Sequence, residues 1–399
     1  MTENIEVVVI GGGYSGVMAA NRLTQRDDVT VTLINPRPTF VERIRLHQLV
    51  GGSDDAVVEY REVLSGDVKL VIDTVTRIDA PERTIELKDG TTAGYDYLIY
   101  AVGSGSAAPS VPGAAEFAYP ISSLEEAQRL RSVLQDVPES APVTVVGGGP
   151  SGIETAAELA ELGRNVTLLC GTRLGPYLHP NGRRSVAKGL AKLGVDVLDG
   201  PESRAMAVAP DNVQLAGGRK VPSAVTIWTV GFSAPDLASR SGLRTDDAGR
   251  LLTDETLTSV SDDRVFATGD ASAPSGMPVR MSCQAALPSG SKVADTVLSR
   301  IAGEQPEDLT FGIAAMCVSL GRRDGVFQFA HKDDTAMWLR VSGRAGAKMK
   351  ELACHSPIEQ MEKEAQKPGS HSWLVKDGGR RERLQAKANE SSPKAARAS

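Results

Sequence analysis

Apolar residues in this chain recur in one arrangement: a short run of β-branched and aliphatic residues, a glycine-rich step, then apolar residues at helical spacing. The first run is Ile5–Ile10 (IEVVVI). Residues 14–26 then carry Val17, Ala20 and Leu23 on one face, which predicts a helix, and residues 29–34 (VTVTLI) predict the next strand. The succession starts again at Val143, with a helix expected over about 152–162 (Ile153, Ala156, Ala157 and Ala160 apolar) and a strand at 165–169. Unbroken apolar runs suit strands covered on both faces, and β-α-β units build parallel sheets. The fold class expected is therefore α/β, with two Rossmann-like units. From 311 to 341, shorter strand-like runs (AAMCVSL, GVFQFA, MWLRV) are separated by Gly and Asp and predict a small region containing antiparallel sheet.

Small and proline-containing stretches at 104–112 and 231–235 read as crossings into and out of the second unit. This gives boundaries of 1–112, 113–235, 236–305 and 306–356. Beyond 357 the sequence turns polar, with nine basic and four acidic residues from Lys363 to Ser399, and a disordered tail is expected over 357–399. At 399 residues there is room for two or three cores. The net charge of −6 excludes a nucleic-acid binder by bulk electrostatics. No apolar stretch approaches the roughly 18 residues that span a bilayer. The N-terminal residues show no basic, apolar signal pattern, so a cytoplasmic protein is expected. Cys170, Cys283, Cys317 and Cys354 lie far apart and are expected as free thiols. The five histidines show no metal-ligand spacing, so no metal site is expected.

The glycine steps carry the candidate chemistry. In Gly11-Gly12-Gly13-Tyr14-Ser15-Gly16, Gly11 permits a tight turn, Gly13 lets a pyrophosphate approach the backbone, and Gly16 lets helix and strand pack. The helix N-terminus then offers free N–H groups and a positive dipole end to phosphate. Gly147-Gly148-Gly149-Pro150-Ser151-Gly152 repeats the pattern, with Gly147, Gly149 and Gly152 in the same positions. An acid is expected about 20 residues on, to hold the ribose hydroxyls. In the first unit Asn35 stands there, nineteen residues after Gly16, and can still hydrogen-bond a ribose. In the second unit the strand ends at Leu169-Cys170. Nothing there repels a 2′-phosphate, and Arg173 is near enough in sequence to meet one, which leans this site towards NADPH or both nucleotides.

Arg264-Val265-Phe266-Ala267-Thr268-Gly269-Asp270 is a strand ending in Gly-Asp. It resembles the late flavin-binding motif of the two-dinucleotide-domain flavoprotein reductases. Tyr95-Asp96-Tyr97-Leu98-Ile99-Tyr100-Ala101-Val102-Gly103-Ser104 resembles the hinge motif at the exit of that family's first FAD segment. Ile227-Trp228-Thr229-Val230-Gly231-Phe232 is similar to its counterpart leaving the NAD domain. The resemblance implies FAD on the first loop, NAD(P)H on the second, and the second domain inserted in the first. Asp270 would hold the ribityl chain, with Gly103, Gly231 and Gly269 at the close approaches. Glu154, expected in the first turn of its helix, resembles the family's Glu near the nicotinamide; an acid favoured there by the helix dipole is the other reading.

The dithiol branches of this family carry cysteines in the region that is here Phe40-Val41-Glu42-Arg43-Ile44-Arg45-Leu46-His47-Gln48, which has none. Electrons are therefore expected to leave the flavin directly. Cys283-Gln284-Ala285-Ala286-Leu287-Pro288-Ser289-Gly290 resembles the quinone-site segment of type II NADH dehydrogenases, with Gln284, Ala286 and Gly290 matching and Cys283 and Pro288 departing from it. The segment from Arg43 to His47 resembles one wall of the flavin region in apoptosis-inducing-factor-like oxidoreductases. On this reading His47 passes a proton to a reduced quinone, with an interior hydrogen-bonded His as the alternative, and Arg45 steers an anionic group unless it forms a surface salt bridge. The expected function is FAD-dependent NAD(P)H oxidation with a small, quinone-like acceptor. Reduction of a ferredoxin- or rubredoxin-like carrier and NAD(P)H sensing are the rivals. Residues 343–355 offer a poor membrane-binding face, leaving at most peripheral contact at the inner face of the membrane. The oligomeric state stays open between monomer and homodimer.

Overall fold

A computed structural model describes residues 4–391. The first apolar run forms β1 (Ile5–Ile10), followed by α1 (Tyr14–Leu23) and β2 (Val29–Asn35). With β3 (Val68–Ile72), β4 (Tyr97–Tyr100) and a late strand at Val265–Ala267, they make a five-stranded parallel sheet. β1 lies at its centre, between β2 (Val9 opposite Leu33) and β4 (Val9 opposite Ile99). That position explains the unbroken apolar run: Val7, Val8, Val9 and Ile10 are all buried, on both faces.

The chain then crosses through β5 (Gly105–Ser106) into a second five-stranded parallel sheet. Its strands are β6 (Ala118–Pro120), β7 (Pro142–Val146), β8 (Asn165–Leu169), β9 (Asp196–Leu198) and β10 (Val225–Trp228), in the spatial order β6-β10-β7-β8-β9. Between them run α3 (Leu124–Asp136), α4 (Pro150–Glu161) and α5 (Pro180–Lys192). The return passes through β11 (Phe232–Ser233), which pairs antiparallel with β5, so the two crossings brace each other. The late strand of the first sheet, β12 (Val265–Ala267), follows; every strand of the second sheet thus falls in sequence between β4 and β12.

Next comes α6 (Cys283–Ile301), packed on α1. A Cβ on its Gly290 would strike the carbonyl oxygen of Ser15, so only glycine lets the two helices meet there. The three strands β13 (Ala315–Ser319), β14 (Gly325–Ala330) and β15 (Ala336–Ser342) form the expected antiparallel sheet.

The polar tail departs from expectation. α7 (Arg344–Gln366) runs through Pro357 without ending, and α8 (Arg380–Ser391) follows. Met361 and Glu364 of α7 are fully buried. Glu364 pairs with Arg22 of α1 at 3.1 Å and accepts backbone N–H groups from Gly369 and His371. Trp373 donates its indole N–H to the Gly312 carbonyl. Disorder from 357 is therefore not what 357–391 shows; 392–399 lie outside the described residues. Among the described residues no helix is long and apolar enough to cross a membrane.

Candidate functional site

The two glycine loops are built alike. Gly11 and Gly147 have φ of +103° and +130°, a region open to glycine. A Cβ on Gly16 or Gly152 would run into the carbonyl oxygen of Gly11 or Gly147, respectively. At Gly13 and Gly149, by contrast, an added Cβ meets no atom within 4 Å. In each loop two glycines serve the turn and the helix contact, and a third leaves its missing side chain facing open space at a helix N-terminus. That is the geometry of a phosphate cradle.

Asn35, at the end of β2, accepts the Gly12 N–H at 3.0 Å and donates to the Arg37 carbonyl at 2.9 Å. It is placed beside the first loop as expected, but both ends of its amide hold protein backbone. Tyr60, unremarked in the sequence, donates its hydroxyl to the Gly12 carbonyl at 2.8 Å.

The motifs of the first unit converge on one corner. Gly269 (φ +66°) donates its N–H to Ser289 Oγ at 3.0 Å, tying the strand end to α6. Asp270 accepts the Ser104 hydroxyl at 2.7 Å, directly after Gly103 (φ +70°). Arg43 reaches the same carboxylate oxygen at 3.5 Å, while its Nε donates to the Ser122 carbonyl. Gly269, Asp270, Ser289, Arg280 and Ala285 line a narrow recess there. The start of α6, with Gln284 as its second residue, borders that corner, and Ser282 caps it by accepting the Ala285 N–H.

In the second unit, Gly231 (φ +85°) lies on the return crossing and its carbonyl accepts the Ala107 N–H. Arg173 is exposed in a loop that folds back onto the cradle, with the Gly175 N–H donating to the Gly148 carbonyl.

A buried polar cluster joins the second unit to the rest. Glu154 falls in the second turn of α4, because the helix starts at Pro150, earlier than expected, so the helix-dipole reading loses its basis. Its Oε1 is 3.0 Å from Lys350 Nζ of α7 and accepts the Ser319 N–H at 2.9 Å. Its Oε2 is 3.8 Å from Nδ1 of His47, which lies on α2 (Leu46–Gly51). Burial would raise the Glu154 carboxyl, but Lys350, with His47 and the Ser319 N–H, holds it below the ordinary value. Burial likewise disfavours the Lys350 ammonium, yet Glu154 keeps it well above the usual lysine range. The pair is therefore charged. His47 has no such support: burial lowers its pKa to about 4, so the ring is neutral. Its Nε2 faces the Ser319 hydroxyl at 3.3 Å and the Arg322 guanidinium at 3.5 Å, and its Nδ1 is on the Glu154 side.

Lys350 is the residue that sequence reading missed; it stands in a stretch judged only for membrane affinity. Arg45 corrects an expectation. It is neither a surface pair nor a free anion guide, but buried, with Nε on Glu42, Nη1 on Gln48 and Nη2 on Glu351. Arg43, its neighbour, is the arginine that reaches the Asp270 corner. The four cysteines are free. Cys283, Cys317 and Cys354 gather near Lys350, but burial pushes Cys283 up to about 12 and Cys354 up to about 11, so they remain thiols at neutral pH.

Residues 5–290 match the sequence model of the family described as Pyridine nucleotide-disulphide oxidoreductase. An NADH dehydrogenase-like protein of Mycobacterium tuberculosis is 30% identical over 294 residues, covering 67% of this chain and 72% of its own. A type II NADH:quinone oxidoreductase of the same organism is 30% identical over 350 residues, covering 76% and 74%. The fold matches that of NDH2 from Plasmodium falciparum, solved in complex with NADH, with a TM-score of 0.75 at 15% identity over 92% of this chain and 99% of that one. Two cradles, a Gly-Asp corner at the first and a matching profile from end to end of both units place this chain in the pyridine nucleotide-disulphide oxidoreductase family, among FAD-dependent NAD(P)H oxidoreductases related to the type II NADH dehydrogenases.

Proposed function

We propose that this protein oxidises NAD(P)H and passes the electrons to a quinone or similar small acceptor without a redox-active disulfide. The observation that carries the reading is the junction of α2, α4, β13 and α7: a buried Lys350–Glu154 ion pair stands there, and the nearby thiols are held protonated. The type II NADH:quinone oxidoreductase among its relatives supports the acceptor class.

Gly11, Gly13, Gly16 and the loop-bracing Asn35 would hold the FAD pyrophosphate side. Asp270, with Gly103, Gly269 and Arg43, would hold its ribityl chain, and Gln284 would border the ring. Gly147, Gly149 and Gly152 would hold the nicotinamide dinucleotide, with Gly231 at the crossing, Arg173 at the mouth and Glu154 towards the nicotinamide. When bound, FAD supplies the two-electron carrier between nicotinamide and acceptor. The residues supply position and charge. Lys350 keeps its proton at neutral pH, so its contribution is a fixed positive charge where negative charge builds up. His47, neutral, relays a proton through its ring and stores none. The capped start of α6 aims a positive dipole end at the Asp270 corner.

The test is anaerobic reduction of the purified yellow protein by NADH and NADPH, followed by reoxidation with a panel of quinones and with ferredoxin-type carriers. Fast reoxidation by quinones, unaffected by prior thiol alkylation, is expected. Reoxidation by carrier proteins alone, or its loss on alkylation of the folded protein, overturns the reading.

A further inference from the structure

The second unit lacks an acid at the end of β8, where Cys170 and Gly171 stand, but the neighbouring strand brings one to the same place. Leu198, the last residue of β9, is paired with Leu169, and the ladder continues with the Cys170 N–H donating to the Leu198 carbonyl at 2.9 Å. The next residue is Asp199, whose carboxylate lies close enough to Cys170 to add to the upward shift that burial gives that thiol.

Asp199 also reaches the cradle. Its Oδ1 accepts the Leu174 N–H at 2.8 Å. The adjacent Gly175 N–H donates to the carbonyl of Gly148, in the glycine loop itself. Ser203 fixes the other side of the turn, donating its hydroxyl to the carbonyls of Gly171 and Gly200. An exposed carboxylate is thus held at the C-terminal edge of the sheet, one short loop from the phosphate-cradling glycines. In an open parallel sheet this edge is where the adenosine ribose of a bound dinucleotide lies.

We propose that Asp199 is the nucleotide-selecting residue of the second site and that it selects NADH over NADPH. The inference rests on the reading that the second cradle binds a nicotinamide dinucleotide. A ribose 2′-hydroxyl can donate to the carboxylate. A 2′-phosphate would bring close to two further negative charges beside it. Arg173 does not reverse the preference. Both groups are exposed, but Asp199 is held in place by the Leu174 N–H, whereas the Arg173 cation sits on a long flexible stem and offsets little. The lean towards NADPH drawn from Cys170 and Arg173 holds only along one strand; the opposing charge arrives from the strand beside it.

Asp199→Asn tests this, because the amide oxygen can still accept the Leu174 N–H while the charge is gone. Dissociation constants for NAD⁺ and NADP⁺ would be measured by calorimetry on FAD-loaded wild type, Asp199→Asn and Asp199→Ser, with thermal unfolding to confirm that each is folded. Wild type is expected to favour NAD⁺. In both variants the preference should fall by about tenfold, mostly through tighter NADP⁺ binding. A wild type that binds the two equally, or a ratio that moves less than twofold in both folded variants, overturns the assignment of Asp199. Failure of folded, FAD-loaded wild type to bind either nucleotide sinks the dinucleotide reading itself, and the inference with it.

Discussion

Lys350 Nζ lies 3.0 Å from Glu154 Oε1, and both side chains are more than nine-tenths buried. The partners come from α7 and from the helix behind the second cradle, so one ion pair ties the C-terminal region to the nucleotide unit. A buried pair adds little net stability when intact, but losing one member leaves an uncompensated charge. Lys350→Met should therefore destabilise the protein by about 3–5 kcal/mol, and Lys350→Met/Glu154→Gln should recover most of that. Urea unfolding of the FAD-loaded proteins measures both. Turnover should fall in the double variant despite its recovered stability, because the fixed charge is gone. Equal turnover in wild type and double variant would show that the pair is structural only.

His47 makes a separate statement about pH. Its folded pKa is lowered to about 4 by burial, against 6.5 for the free group. Between those values the unfolded chain binds a proton that the folded chain refuses, so stability is lost as pH falls through that window. The full effect is of order 3 kcal/mol by linkage. Glu154, whose carboxyl is held low, adds loss in the same direction at more acid pH. His47→Gln should flatten the stability profile between pH 6.5 and 4 while leaving the more acid limb. A denaturation series across that range reads the difference directly, and an unchanged slope would mean that His47 is protonated in the folded state.

Asp270 offers a retention test at the other corner. It binds the Ser104 hydroxyl at 2.7 Å and faces Arg43 at 3.5 Å, so it is pre-set to meet hydroxyls of a polar chain laid along the Gly269 turn. Asp270→Ala should weaken FAD binding by about 10–100-fold, the size of a lost charged hydrogen bond. Flavin released on dilution into size-exclusion chromatography gives the measure. Full occupancy in the variant would remove Asp270 from the flavin site.

The two parallel sheets were legible because their central strands are apolar on both sides and their glycine steps fall where a strand must turn into a helix. The glycine turns followed from spacing, whereas the cofactor expected on each loop came from the family resemblance. Glu154 was singled out by resemblance to the family's Glu near the nicotinamide and expected in the first helical turn; the helix starts at Pro150, so it stands one turn deeper. What stayed hidden was α7. Its buried positions are Gly346, Lys350, Cys354, Pro357, Met361 and Glu364, which follow a helical period. A hydrophobicity pattern cannot register a stripe whose members include lysine, glutamate, glycine and a helix-breaking proline. The partners that make those residues worth burying, Glu154 and Arg22, lie hundreds of positions away. Asp199 was hidden for a related reason: strand pairing, not sequence spacing, sets it beside Cys170.

The glycines of the second cradle separate binding from folding. Gly152 has no room for a Cβ, because one would strike the Gly147 carbonyl oxygen and approach Thr229. Gly149 has room, with no atom within 4 Å of the added position. Substitution at the first must push α4 away from the loop; substitution at the second leaves protein contacts alone and fills only the space where a pyrophosphate would lie. Gly152→Val should therefore lower stability by about 1–3 kcal/mol or more, and nucleotide binding falls with the fold. Gly149→Val should keep the melting temperature and the bound flavin of wild type, yet lose NADH binding and NADH-dependent bleaching of the flavin absorbance. Dithionite should still bleach it. If Gly149→Val is reduced by NADH as fast as wild type, the nicotinamide dinucleotide does not pass over this loop. If it loses its flavin while folded, the two cradles do not divide the cofactors as proposed.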